Sequence, residues 1–239
     1  MADVDIPVPS GTIRGYLAVP EGSASGSEGP WPGVVVLHEI FGLTDDIKKQ
    51  ADRFAANGYL ALAPDLYAWG NTARCLTATL RAMVNGQGRA LEDIQGCRTL
   101  LADRDDCTGK VGVIGFCMGG ALALLVSPQG FDVAAPNYGD LPRRPMDQLR
   151  GACPIVASYG YRDRRLRGSG ARLDKLLTDL DVEHDVKEYP TAKHGFLFEH
   201  TGKTAWTSPL MVEYDPAAAD DAWGRILTFF QSQLKGSTA

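Results

Sequence analysis

The chain has 239 residues, 44% hydrophobic and 22% charged, with 24 Lys and Arg against 29 Asp and Glu and a formal charge of -5. A chain of this length buries roughly 70 to 75% of its unfolded surface, so a single domain over residues 1–239 is expected to form without disulfide or metal staples. The acidic balance and the lack of any basic run exclude a nucleic-acid partner, which requires clustered Lys and Arg.

No stretch approaches the roughly 18 to 20 apolar residues that cross a bilayer. The start MADVDIPVPSG carries acidic residues and Pro where a secretory signal has a basic and then an apolar run, so a cytoplasmic protein is expected. Cys75, Cys97, Cys107, Cys117 and Cys153 are odd in number and form no C-x-x-C pair. Most of them read as reduced thiols, and none has the spacing of a zinc ligand pair. The four histidines do not cluster at ligand spacing, and no G-x-G-x-x-G follows the first buried strand, so no metal or nucleotide cofactor is expected.

In chain order, a polar start leads to a strand over Thr12–Val19, then a Gly/Ser-rich surface loop over Glu21–Pro30. Val34–Leu37 is the continuous apolar run of a strand buried on both faces. Thr44 or Asp45 caps a helix that presents Ile47, Ala51, Phe54 and Ala55 and ends at Gly58. Leu60–Ala63 is the next buried strand, closed by Pro64. Ala90, Leu91, Ile94, Cys97 and Leu101 recur at helical spacing. Val111–Ile114 is a strand, and Gly119–Val126 is small and apolar enough for a buried helix. Strands follow at Val133–Tyr138, Ile155–Tyr159 and His184–Tyr189, with a helix over Ala171–Leu180 between the last two. A final helix over Ala217–Leu234 carries the stripe Trp223, Ile226, Leu227 and Phe230, and the tail Lys235–Ala239 carries no chemistry. There is no internal repeat. This alternation predicts an α/β fold, a doubly wound and mostly parallel sheet with helices on both faces. Active residues then belong on loops at the carboxyl ends of strands.

The most informative segment is Val111–Gly120, which sets Gly115-x-Cys117-x-Gly119 between a buried strand and a buried helix. That is the context of a nucleophile elbow, with Cys in place of the usual Ser. The nucleophile occupies a strained turn, and residues two before and two after it must lack side chains so that strand and helix can approach. A helix N-terminus adds positive potential that favours a thiolate. An isolated Cys after a Gly-rich turn is usually a small buried hydrophobe; the flanking glycines tip the reading toward catalysis. In this fold the acid and base follow the nucleophile in that order. Asp163 follows the Ile155–Tyr159 strand and His194 follows the His184–Tyr189 strand. His38 precedes the elbow, His184 starts a strand, and His200 lies deeper in the connecting segment. Glu39 sits immediately after the first buried strand, where a solvated loop acid is equally common. The fold places a second oxyanion donor there, so the backbone N–H groups of Ile40 and Met118 are the candidate pair.

The segments HEIFGL (38–43), PDLYAW (64–69), GFCMGG (115–120), YGYRD (159–163) and KHGF (193–196), taken together, resemble the dienelactone hydrolase family of α/β-hydrolases. The resemblance runs from about residue 10 to the final helix. It implies Cys117 as nucleophile, His194 as its base, Asp163 as the orienting acid and Ile40 with Met118 as oxyanion donors. It also implies that Glu39 pairs with the resting thiol, and that an acyl-thioester forms and is hydrolysed. The family's substrate carboxylate is held by two arginines. Phe198 stands at one of these positions and cannot pair with a carboxylate, and Arg74, Arg81 or Arg89 corresponds to the other, Arg81 being the residue taken forward. Phe41, Tyr138 and Trp69 are expected to line the pocket.

The expected activity is hydrolysis of a small-molecule ester or lactone. The alternatives are a generalist carboxylesterase or thioesterase acting on a less charged substrate, and a noncatalytic redox-responsive thiol module. The resemblance implies a monomer, and the sequence leaves the oligomeric state open, since nothing in it specifies a self-complementary patch.

Overall fold

The computed structural model describes residues 2–21, 29–201 and 213–236. Most of the Gly/Ser-rich stretch predicted as a loop, residues 22–28, and the tail residues 237–239 lie outside them. Eight strands form one sheet: β1 (Ala2–Val8), β2 (Gly11–Ala18), β3 (Trp31–Leu37), β4 (Leu60–Pro64), β5 (Cys107–Phe116), β6 (Val133–Asn137), β7 (Ile155–Gly160) and β8 (His184–Tyr189). Their order is β1-β2-β4-β3-β5-β6-β7-β8. β2 runs antiparallel to both β1 and β4, and the pairs from β4 through β8 are parallel. The helices are α1 (Asp45–Ala56), α2 (Thr72–Asn85), α3 (Arg89–Ala102), α4 (Met118–Val126), α5 (Pro145–Gln148), α6 (Ser169–Asp179) and α7 (Pro216–Leu234). Among the described residues, no helix is long and apolar enough to cross a membrane.

Every predicted element is present within a few residues of its expected bounds. α1 begins where Thr44 caps it, accepting the N–H of Ile47, and buries Ile47, Ala51, Phe54 and Ala55. α4 is buried along its whole length because it lies between the sheet, at β3, β5 and β6, and the helices α2 and α3. Three elements were not anticipated, one of them the four-residue helix α5, which buries no side chain. β1 buries only Ile6, opposite Ile13 of β2, and carries Asp3, Asp5 and Pro7 as an edge strand does. α2 buries Cys75, Thr79 and Ala82, a face too small and polar to register as a hydrophobic stripe.

The strand order decides where the site lies. From β3 the chain crosses through α1 to β4 on one side, whereas β5 pairs with β3 on the other, so the order reverses between β3 and β5. Ligand crevices open at such a switch point, outside the carboxyl ends of the strands. Leu37, the last residue of β3, is opposite Gly115 near the end of β5. The residues that follow these two strands are Glu39–Phe41 and Cys117–Met118, which therefore share one edge of the sheet.

Candidate active site

Cys117 has φ 55° and ψ -112°, a conformation rarely adopted outside glycine, and leads directly into α4. The glycines around it are required by close backbone packing. A Cβ on Gly115 would lie 2.0 Å from the carbonyl oxygen of Gly119, and one on Gly119 would lie 2.4 Å from that of Leu37. The turn is further held by the Cys117 N–H, which donates to Asn137 O at 3.1 Å. Met118 is the first residue of α4, so its N–H has no carbonyl partner within that helix.

His194 and Asp163 reach the same place from the ends of β8 and β7. The two loops are joined by main-chain contacts. Tyr161 N–H donates to Tyr189 O at 3.0 Å, Arg162 N–H donates to Ala192 O at 3.0 Å, and a Cβ on Gly160 would meet Lys193 O at 2.4 Å. Across this joint, His194 Nδ1 donates to Asp163 Oδ2 at 2.6 Å, both side chains nearly buried. Asp163 Oδ1 accepts from the N–H groups of Arg165 (3.0 Å) and Leu166 (3.3 Å). Burial opposes ionisation of Asp163, but the hydrogen bond and charge of His194, with these two N–H groups, hold its carboxyl below the usual range. Burial likewise opposes charge on His194. Its hydrogen bonds to Asp163 and to Cys117 outweigh that effect and raise it to about 9. At neutral pH the ring is therefore an imidazolium with the Cys117 sulfur as its second partner.

The β3–α1 segment is positioned by two aromatic side chains. His38 is fully buried; its Nε2 accepts from Leu66 N–H at 3.1 Å, which leaves Nδ1 to donate to Glu39 O at 2.6 Å. Burial lowers the affinity of this ring for a second proton. The Tyr67 hydroxyl donates to Ile40 O at 3.1 Å and lies 3.5 Å from Met118 Sδ, tying together the two residues expected to form the oxyanion pair. Tyr67 belongs to the PDLYAW segment, but its role depends on a contact that only the fold reveals.

The structure thus brings Cys117, Asp163 and His194 together, with Ile40, Met118 and Glu39 on the same sheet edge. Tyr138, fully buried, sets its ring 5.1 Å from that of His194. Ile40 and Phe41 are both over a third exposed. Phe198 is buried and packs edge-on against Phe116. Two expectations need correction. Glu39 takes a partner other than the thiol, its Oε2 accepting from His200 Nε2 at 2.7 Å, in a pair almost wholly buried. Arg81 lies exposed on α2, where with Trp69, Ala73, Arg74, Thr77 and Ala78 it lines a surface cleft of about 490 Å³ that includes none of Cys117, His194 and Asp163. Trp69 is flanked there by the guanidinium groups of Arg74 and Arg89, and Arg89 is also engaged by Asp93 (3.5 Å) and Ser10 O (3.2 Å). Among the described residues, no group of three or more His, Cys, Asp or Glu could hold a metal ion.

A strained residue at a strand–helix turn, followed in the chain by an acid and a histidine on later strand ends, defines an α/β-hydrolase fold. A protein from Synechocystis sp., provisionally named a carboxymethylenebutenolidase, is 28% identical over 97% of this chain and 96% of its own length. Protein usf of Aquifex pyrophilus is 29% identical over 93% and 94%. In three dimensions the chain is similar to a provisionally named dienelactone hydrolase from Klebsiella pneumoniae (TM-score 0.77, 24% identity, 96% and 97% covered). It is equally similar in fold to P91, a dienelactone hydrolase-like promiscuous phosphotriesterase from metagenomic libraries (TM-score 0.77, 22% identity, 98% of each chain). The family model for dienelactone hydrolases matches residues 13–234, and the chain belongs to that family. It is a hydrolase.

Proposed function

We propose that this hydrolase cleaves a small-molecule ester or lactone with Cys117 as nucleophile, His194 as proton carrier and Asp163 as the group that orients and charges His194. The observation that carries the reading is the strained Cys117 elbow facing a histidine whose Nδ1 is held by Asp163 at 2.6 Å. The Cys117 thiolate attacks the acyl carbon, and the resulting oxyanion accepts from the N–H groups of Met118 and Ile40. Collapse breaks the C–O bond as His194 gives its proton to the leaving oxygen, which in a lactone stays tethered to the acyl group. The acyl group is left as a thioester on Sγ. Water then loses a proton to His194 and attacks the thioester, releasing the carboxylic acid and restoring the thiolate–imidazolium pair.

The names of the relatives make a dienelactone the first substrate to test. Phe198 favours a second reading, a carboxylesterase or thioesterase acting on a less charged acyl group, because an apolar buried ring offers a carboxylate nothing. Hydrolysis of cis-dienelactone and of p-nitrophenyl acetate, before and after iodoacetamide, separates them. Cys75, Cys97 and Cys153 are buried and pushed up by burial; Cys107 and Cys117 are partly exposed, so mass spectrometry of the labelled site completes the assay. Lactone turnover lost in step with Cys117 labelling is the expected result. Turnover of the acetate alone selects the second reading, and turnover that survives full Cys117 labelling overturns the mechanism.

Asp163→Asn is expected to lower kcat by about 10³ to 10⁴ while the fold persists, because the amide cannot stabilise the imidazolium or fix its tautomer. The same variant tests the charge assignment. His194 is raised in the folded state above its ordinary 6.5, so its contribution to stability is complete below that value and is lost as pH rises through about 9. Thermal unfolding of the wild type should therefore weaken across that window, and the slope should flatten in Asp163→Asn.

A further inference from the structure

A second carboxylate–imidazole pair is buried beside the elbow. Glu39 and His200, 161 residues apart, meet at 2.7 Å with side chains 5% and 2% exposed. Phe198 stacks on the His200 ring at 4.9 Å and 29°, and Phe41 meets it edge-on at 6.3 Å. The next residue is also tied down, Thr201 donating from N and Oγ1 to the two oxygens of Asp46 at 2.8 and 2.6 Å. The segment that starts at His194 thus ends on two carboxylates of the β3–α1 region.

Glu39 lies close to the nucleophile. Gly119 packs on the carbonyls of Leu37 and His38, and the Tyr138 hydroxyl lies in the fields of both Glu39 and Cys117. A buried carboxylate there is costly without a partner, and as a like charge it disfavours a neighbouring thiolate. The titratable groups on the elements around the pair are Tyr138 after β6, which feels both Glu39 and Cys117, neutral His38 after β3, and Asp46 of α1, which is occupied by Thr201 and Lys49. His200 Nε2 is the donor set against Glu39 Oε2.

We propose that His200 is a positioning residue for the hydrolase, engaging the Glu39 carboxylate so that the Cys117 thiolate is governed by His194 alone. The inference rests on the reading of Cys117 as nucleophile. Its test is the initial rate of iodoacetamide labelling at Cys117, measured between about pH 5 and 9 beside kcat and KM for p-nitrophenyl acetate, in the full-length protein. His200→Phe is expected to slow labelling about tenfold at neutral pH, move the labelling profile to higher pH, and lower kcat with little change in KM. His200→Gln keeps an N–H donor and should recover most of the rate. In a Glu39→Gln background, His200→Phe should have no further effect. His200→Asn, polar but too short to reach Glu39, serves in place of His200→Phe should that variant not fold, with the same expectations. Wild-type labelling rate and profile in His200→Phe or His200→Asn, or an equal loss in the Glu39→Gln background, would overturn the proposal by reducing His200 to packing. Failure of the nucleophile reading shows separately, as wild-type turnover that survives labelling of Cys117.

Discussion

Cys117→Ala is expected to lose about 10⁴-fold or more in kcat toward any ester or lactone that the wild type hydrolyses, since no neighbouring group can replace the sulfur. The fold should persist. The residue is only partly buried, and removing Sγ leaves the main-chain bonds of the elbow untouched, including Cys117 N–H to Asn137 O. Alanine suffers the same strain at φ 55°, so the unfolding free energy should move by no more than about 1 kcal/mol. Cys117→Gly relieves that strain, and is expected to be equally inactive but more stable than Cys117→Ala by about 1 kcal/mol. Turnover assays with denaturant titrations of the three proteins check both effects together. Substantial turnover by Cys117→Ala would remove the sulfur from the chemistry.

Gly115→Ala is expected to be the most destabilising single methyl addition near the site. The new Cβ would fall 2.0 Å from Gly119 O and 2.2 Å from Gly119 C, main-chain atoms that cannot move without separating α4 from β5. Ordinary overpacking of side chains costs about 1 to 3 kcal/mol because side chains give way; here the loss should exceed about 3 kcal/mol, with activity falling as the elbow shifts. Gly224→Ala is the matched control. It lies within α7 with nothing within 4 Å of an added Cβ, and should stabilise by about 0.5 to 1 kcal/mol through helix propensity. Urea unfolding of both variants beside the wild type measures the contrast, and a Gly115→Ala protein of wild-type stability would disprove the close-packing account.

The central strands were legible because each is a continuous apolar run, a local property of the sequence. β1 was not, since a single buried Ile6 between charged residues leaves no pattern until β2 is alongside. α2 was missed for a related reason: Cys75, Thr79 and Ala82 keep helical spacing but contribute little hydrophobicity. That omission carried into the site, because Arg81 could not be placed without knowing the helix that bears it. The grouping of Cys117, Asp163 and His194 could be anticipated from chain order and from glycines that a tight turn demands. The Glu39–His200 pair could not, since neither residue sits in a motif that names the other, and their meeting depends on how the segment after His194 folds back over β3. Tyr67 shows the same limit, its segment recognisable and its grip on Ile40 and Met118 invisible.

The joint between the β7 and β8 loops separates two kinds of change that the protein can undergo. Reaction geometry there is set by Tyr161, Arg162 and Gly160 through main-chain atoms, which most side-chain replacements leave alone. Ile40 and Phe41 stand on a different segment, between β3 and α1, and their apolar side chains are partly exposed. The exposed side chain of Ile40 can therefore be exchanged while its own main chain and the joint between the β7 and β8 loops stay in place. A scaffold arranged in this way can diversify its substrates by drift at a few rim positions while one chemical step is inherited intact.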